Sequence, residues 1–346
     1  MAVDLESTPE LGQFYKDVQR HHMTPLWTAA GIWNPVHRAI PYLWHRDEYW
    51  PLCQRSGELV PIERGGERRV LAFLNPGLPP EMYGATHTLW VAVQYLQPGE
   101  IAPAHRHSAG AIRFILQGDK AFTNVNGDKC IMQRGDLVLT PAWVWHDHGH
   151  EGKEPMIWMD GLDLPFARGL GMVFFEPYPQ NRQPVLGENL TEKRHHIGQL
   201  RPALAEADPS GTSPLMNYKW AQAEEALHAL SPEDASPYDD LALEYINPLT
   251  GGSVLPTMSC WIQRLRPGVH TKPRRQMTSK VFHVFEGHGR SIIDGQRFDW
   301  RKGDFFCVPT WSRHEHENDS SADAVLFSVQ DTPIFQKLGL YRESDE

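Results

Sequence analysis

The sequence predicts an all-β chain built from two copies of one strand-rich unit, and three observations carry that expectation. From about residue 86 onward, short apolar runs alternate with Gly, Pro and Asp, the punctuation of many short strands. A second series of such runs, beyond residue 245, overlays the first. The copies differ most tellingly at histidines, which the first copy has and the second has largely lost.

Taken in order, residues 11–24 (LGQFYKDVQRHHMT) read as a helix with Leu11, Phe14, Tyr15 and Val18 on one stripe, closed by Pro25. Residues 1–85 form an N-terminal region of this helix and flanking strands. Residues 86–165 carry the runs LWVAVQYL, GAIRFILQG, KAFTNVNGD, DLVLTP and PMIWMDGLDL, with Asn126-Gly127 marking a hairpin. Residues 166–245 break the rhythm with PYPQNRQP and SPEDASPYDD and a helical stretch at 218–230, so they read as a partly helical connector. Strand-like runs resume over 246–346 in TMSCWIQRL, KVFHVFEG, RSIIDGQRFDW, DFFCVP and AVLFSV.

The repeat is specific. LQPGEIAPAHRHSAGAIRFILQG (96–118) matches LRPGVHTKPRRQMTSKVFHVFEG (265–287) without a gap. RGDLVLTPAWVWH (134–146) matches KGDFFCVPTWSRH (302–314), pairing Gly135, Asp136, Pro141, Trp143 and His146 with Gly303, Asp304, Pro309, Trp311 and His314. Where copy one has His105 and His107, copy two has Arg274 and Gln276. A guanidinium is permanently protonated and cannot ligate, so the second copy is expected to be metal-free.

Composition narrows the function. Apolar residues make up 40% and charged residues 22%, enough for a buried core, and the net charge of −10 disfavours nucleic acid as a partner. No run has the length of a membrane span. The opening residues are acidic, with no basic-then-apolar leader, so no secretion signal is expected. Cys53, Cys130, Cys260 and Cys307 are far apart and suggest neither a disulfide framework nor a zinc ribbon, so a reducing cytoplasm is the expected setting.

Copy one looks like the two motifs of the cupins. Gly99, His105 and His107, closing at Gly118, form the first; Gly135, Pro141 and His146 form the second. Strand alternation puts His105 and His107 on one face, and His146 completes a set of three across a small barrel. The glutamate ligand that usually follows the second histidine is missing, with Ala111 and Ile112 in its place. Three neutral imidazoles suit Fe, Zn, Cu or Ni and leave positions for a substrate.

Polar residues interrupt the neighbouring strands. Arg113 within AIRFIL needs an anionic partner if buried, either Asp160 or the carboxylate of a substrate. Trp90, Ala92 and Gln94 share a face that suits a flat aromatic acid. His148, on the face of His146, is placed to act as acid or base, while His150 is expected at the rim. Arg69 in RRVLAF is a further residue that reaches the pocket if its strand faces inward.

The whole chain resembles the gentisate 1,2-dioxygenase family, including relatives that open salicylate or 1-hydroxy-2-naphthoate. AHRHSAGAIRFILQG (104–118), LVLTPAWVWHDHGH (137–150) and YINPLTGG (245–252) carry the resemblance. It implies a bicupin of two jelly-roll barrels (double-stranded β-helices) with Fe(II) on His105, His107 and His146. It places Arg113 and Arg69 on the substrate carboxylate, gives pocket roles to Trp90, Gln94, His148 and Asp160, and implies a homotetramer. Gentisate and O2 would give maleylpyruvate by cleavage between C1 and C2. The other readings are salicylate or 1-hydroxy-2-naphthoate as the ring, a redox-neutral cupin isomerase or hydrolase, and a non-catalytic binding bicupin.

Overall fold

The computed structural model describes residues 8–29, 38–61 and 69–345; the first seven residues of the acidic N-terminus lie outside them. Residues 1–38 and 39–346 are two units. In the first, helix α1 (Pro9–Arg20) starts two residues earlier than the apolar stripe predicts, because Thr8 Oγ1 caps the Leu11 N–H at 3.1 Å and Pro9 opens the first turn. It ends four residues early, before His22 takes a left-handed φ of 54°.

In the second unit, β1 (Tyr42–Trp44), α2 (Arg46–Leu59) and β2 (Val70–Phe73) precede the first barrel. Its strands are β3 (Trp90–Leu96), β4 (Ile101–His107), β5 (Ala111–Gln117), β6 (Asp119–Val125), β7 (Asp128–Gln133), β8 (Leu137–Thr140), β9 (His146–His150) and β10 (Met156–Leu162). Asn126 and Gly127, both at positive φ, make the β6–β7 hairpin. The connector holds α3 (Leu164–Gly169), β11 (Phe175–Pro177), β12 (Gly187–Glu188), α4 (Leu190–His195), β13 (Asn217–Tyr218) and α5 (Trp220–Ala229). The second barrel follows as β14 (Leu241–Tyr245), β15 (Ser259–Leu265), β16 (Arg275–Gln276), β17 (Lys280–Glu286), β18 (His288–Ile293), β19 (Gln296–Arg301), β20 (Phe305–Val308), β21 (His314–Glu317) and β22 (Ala324–Gln330), then α6 (Thr332–Lys337) and β23 (Glu343–Ser344).

Hydrogen bonding crosses the boundaries that composition suggests. β1 pairs with β20 of the second barrel, while β2 pairs with β3 of the first, so the region before residue 86 is shared between the barrels. The connector is stitched into the first barrel: β13 extends one sheet as β13-β8-β5-β10-β3-β2, and β11 and β12 flank the facing sheet as β11-β4-β9-β6-β7-β12.

Parity along β5 shows how the site is positioned. Ile112, Phe114 and Leu116 point out of the barrel into a core shared with Ile262, Val281, Phe285, Phe305 and Phe327 of the second barrel. Phe114 stacks on Phe327 with centroids 3.9 Å apart and planes 8° from parallel. The intervening positions, Ala111, Arg113 and Ile115, point inward, where Ile115 joins a small apolar plug with Trp158, Met132 and Val138. Sheets buried on both faces explain why this strand reads as nearly continuous apolar sequence.

Candidate metal centre and aromatic-acid pocket

His105 and His107 leave β4 on one face, and His146 opens β9 directly opposite His105 in the antiparallel register. One ligand atom from each of the three lies within 4.8 Å of the other two. Every ring is held at Nδ1 by a backbone carbonyl: His105 by Pro103 O (2.8 Å), His107 by Ala109 O (2.7 Å) and His146 by Val144 O (2.9 Å). A carbonyl only accepts, so each Nδ1 carries the proton and each Nε2 carries the lone pair. His146 Nε2 is buried without a hydrogen-bond partner among the described residues. Burial first, then the charges of Arg113, His105 and His107, hold its proton affinity well below the ordinary imidazole range. Three oriented, neutral donors fit a divalent cation of the first transition row.

Beside the triad lies a cavity of about 470 Å³, a size suited to a small aromatic molecule. Arg113 lines it, buried, with Nη1 donating to Thr140 Oγ1 at 2.7 Å and Nε 3.3 Å from Asp160 Oδ1. Its Nη2 makes no hydrogen bond among the described residues. Asp160, facing Arg113 across the β5–β10 ladder, also accepts from Trp158 Nε1 at 3.2 Å. Burial nevertheless pushes its carboxyl up to about 6, against the opposing pull of Arg113 and Trp158. His148, also in the wall, meets Thr123 Oγ1 through Nδ1 at 2.9 Å, and burial and Arg113 hold it well below the ordinary range. Trp90 lines the cavity with a buried Nε1 that lacks a hydrogen-bond partner among the described residues, and Gln94 borders it from the same strand face.

The Cupin domain profile matches residues 92–162 and 261–330, one per barrel. A gentisate 1,2-dioxygenase from Streptomyces sp is 41% identical, covering 96% of this chain and 95% of that one. The chain belongs to the gentisate 1,2-dioxygenase family. It is accordingly a dioxygenase-class oxidoreductase. A 1-hydroxy-2-naphthoate 1,2-dioxygenase from Nocardioides sp. (strain KP7) is 36% identical over 91% of this chain and 81% of that one. The salicylate 1,2-dioxygenase from Pseudoaminobacter salicylatoxidans, solved with gentisate, superposes with a TM-score of 0.89 at 38% identity, covering 99% of this chain and 96% of that chain.

Not every residue singled out from sequence reaches the pocket of this gentisate dioxygenase-family chain. Arg69 is turned away. Its carbonyl accepts from Tyr95 N–H, which sets it on the outward parity of β3, and its guanidinium pairs with Glu100 and donates to Val60 O at 3.1 Å. Val70, one residue on and opposite Gln94, takes the place in the wall. Ala92 shares the inward face but is fully buried opposite Asp160 and Ala72 and does not line the cavity. His150 is no rim residue: it is buried, and its ring ties the 151–154 turn through Glu154 O (2.6 Å) and Gly152 N–H (3.1 Å).

Sequence reasoning missed Phe175 and Tyr83. Phe175 lies on β11, which pairs with the ligand-bearing β4, and its ring sits 5.0 Å from that of His105. Tyr83 stacks on Trp90 at 6.5 Å. The apolar GMVFFEP run inside a polar connector was the available signal for Phe175.

The second barrel uses the corresponding positions differently. His314 keeps the ligand geometry, with Nδ1 on Ser312 O at 3.1 Å, but its Nε2 faces Lys280 Nζ at 3.5 Å. Lys280 stands where copy one has Ala111. Arg274 pairs with Asp239, Gln276 donates to Tyr341 Oη at 2.9 Å, and Phe282 replaces Arg113. Among the described residues, the His105–His107–His146 set forms the one cluster suited to a metal ion.

Proposed function

We propose that this chain opens gentisate between C1 and C2 with O2, using Fe(II) held by His105, His107 and His146, and releases maleylpyruvate. The observation that carries the proposal is the meeting of three Nε2-directed histidines, two of them lining the cavity, with a buried arginine that keeps hydrogen-bonding capacity in reserve. The relatives' activities on gentisate and related hydroxy acids support it. Bound Fe(II) would supply adjacent positions for the substrate's oxygens and for O2, and a path for electrons between them.

The chain's own groups do the rest. Arg113 Nη2 takes the substrate carboxylate, and Trp90, Tyr83 and Phe175 confine the ring. The 2-hydroxyl gives up its proton on binding. Asp160, with a carboxyl near 6, is the stronger of the two buried bases beside it, since His148 is held far lower. A carboxylate placed on Arg113 raises Asp160 further and favours that transfer. His148 then serves as a hydrogen-bonding partner for a ring oxygen. Family membership also supports a homotetramer, which sedimentation of the purified protein would test, and four free cysteines support a reducing cytoplasm as its setting.

The deciding experiment is oxygen uptake by Fe(II)-reconstituted protein offered gentisate, salicylate and 1-hydroxy-2-naphthoate in turn. Uptake of one O2 per gentisate opened, abolished in His105→Ala, is the expected result. Faster turnover of either other ring would transfer the assignment to that substrate. Turnover without O2 would replace it with a redox-neutral reaction.

A further inference from the structure

Outside both barrel interiors, a cleft of about 430 Å³ lies between α2, the end of β5 and the second barrel. We propose that it binds a small dicarboxylate. Arg46 lies over the Trp50 ring at 4.5 Å, and its guanidinium has no ion pair among the described residues; its backbone N–H bonds Asp304 Oδ1. The bare backbone of Gly303, at φ 92°, lets the Arg46 stem cross the floor, where a Cβ would come within 2.1 Å of Arg46 Cδ. On the other wall Arg134 lies 3.9 Å over Phe285, with Nη2 donating to Phe285 O and Glu286 Oε1. Lys302 shares that same carboxylate. Three cations therefore line the cleft, with Glu286 paired to two of them and Asp304 bound to the Arg46 backbone.

The fourth group is His283. It is 4% exposed, lines the cleft, packs 4.5 Å from Phe305, and no side chain hydrogen-bonds its ring among the described residues. The equivalent residue of the first barrel is Phe114, so packing between the barrels is met by a phenyl ring at this position. The neutral His283 ring, which bonds the Asp304 backbone, closes the cleft beside two guanidiniums that carry its attraction for an anion. The two arginines come from α2 and from the turn after β7, each with an aromatic face beneath it. That arrangement matches a flat, short molecule with a carboxylate at each end, since a guanidinium fork takes one carboxylate apiece. Opening an aromatic acid next to its carboxyl carbon makes a second carboxylate, so the reaction's own product belongs to this class. Only that last step rests on the ring-cleavage proposal.

The test uses the full chain and maleate as probe, by titration calorimetry at low ionic strength. Wild type and Arg113→Ala, whose catalytic cavity has lost its carboxylate-binding arm, should each bind one maleate per chain. Arg46→Gln and Arg134→Gln, each checked for folding by circular dichroism, should weaken binding about tenfold or more, as loss of a charge-assisted hydrogen bond does. Binding that vanishes in Arg113→Ala but survives in both other variants would place maleate in the catalytic cavity and overturn the proposal. So would phosphate binding as tightly as maleate, or no saturable binding. Maleate binding as expected in a protein that opens no ring would keep the cleft and discard only its link to product.

Discussion

Asp160 and His148 border the same cavity, and burial moves them in opposite directions because one is charged when deprotonated and the other when protonated. The carboxyl rises to about 6 while the imidazole falls well below its usual range. As a proton acceptor Asp160 must be ionised, so kcat/KM should rise with pH through about 6 in the free enzyme. Asp160→Asn keeps the shape and leaves Arg113 on Thr140, yet removes the base. Its turnover should drop about a hundredfold, within the span general-base removal usually costs, and the acid limb of the profile should flatten. A pH–rate profile retaining its limb near 6 in this variant would assign the proton to another group.

At the scale of elements, β11 shows what sequence could and could not disclose. The repeat made the two barrels legible, and alternation in β4 made His105 and His107 legible, because both depend on local spacing. Long-range augmentation leaves no such mark: β11 joins β4 some seventy residues away in sequence, and only its apolar FF pair hinted at a place beside the cavity. Helix α2 was equally hidden, with Pro51 inside it and only Tyr49, Cys53 and Gly57 buried, a sparse stripe. Arg69 failed for the opposite reason, since one residue of strand parity separates a pocket residue from a core-facing one. Phe175 now carries a prediction. Phe175→Ala retains the backbone pairing to β4 but removes the ring beside His105, so KM for gentisate should rise about three- to tenfold, the worth of an aromatic contact. The ratio of kcat/KM for 1-hydroxy-2-naphthoate to that for gentisate should also increase as the wall recedes. An unchanged ratio would show that β11 does not shape the substrate end of the cavity.

For the whole molecule, the pseudo-symmetric repeat acts as a clasp. Asp163, at the head of α3, accepts from Thr257 of the second copy, and Asp331, at the head of α6, accepts from Thr88 of the first. With the shared aromatic core, these reciprocal contacts couple the barrels, so a perturbation inside the second barrel should be felt by the entire 39–346 unit. Lys280 is such a perturbation. Burial first, then Arg274, depresses its ammonium to about 7, from 10.5. Below about pH 7 folded and unfolded chains both hold the proton, and the folded chain bears the full cost of the buried charge, on the order of 5 kcal/mol. Between about pH 7 and 10 only the unfolded chain still holds it, so stability contributed by this site rises with pH across that window. Asp160 and Asp331, both raised to about 6, act in a separate window, losing stability as pH rises from about 4 to 6. Lys280→Met fills the same volume without a charge, which for buried ions is often stabilising. It should raise the melting temperature at neutral pH and abolish the increase that wild type shows from pH 7 to pH 9, in one transition shared by both barrels. A wild-type melting temperature that is flat over that range would mean the ammonium is not buried as the fold places it, and two resolved transitions would show that the clasp does not couple the barrels.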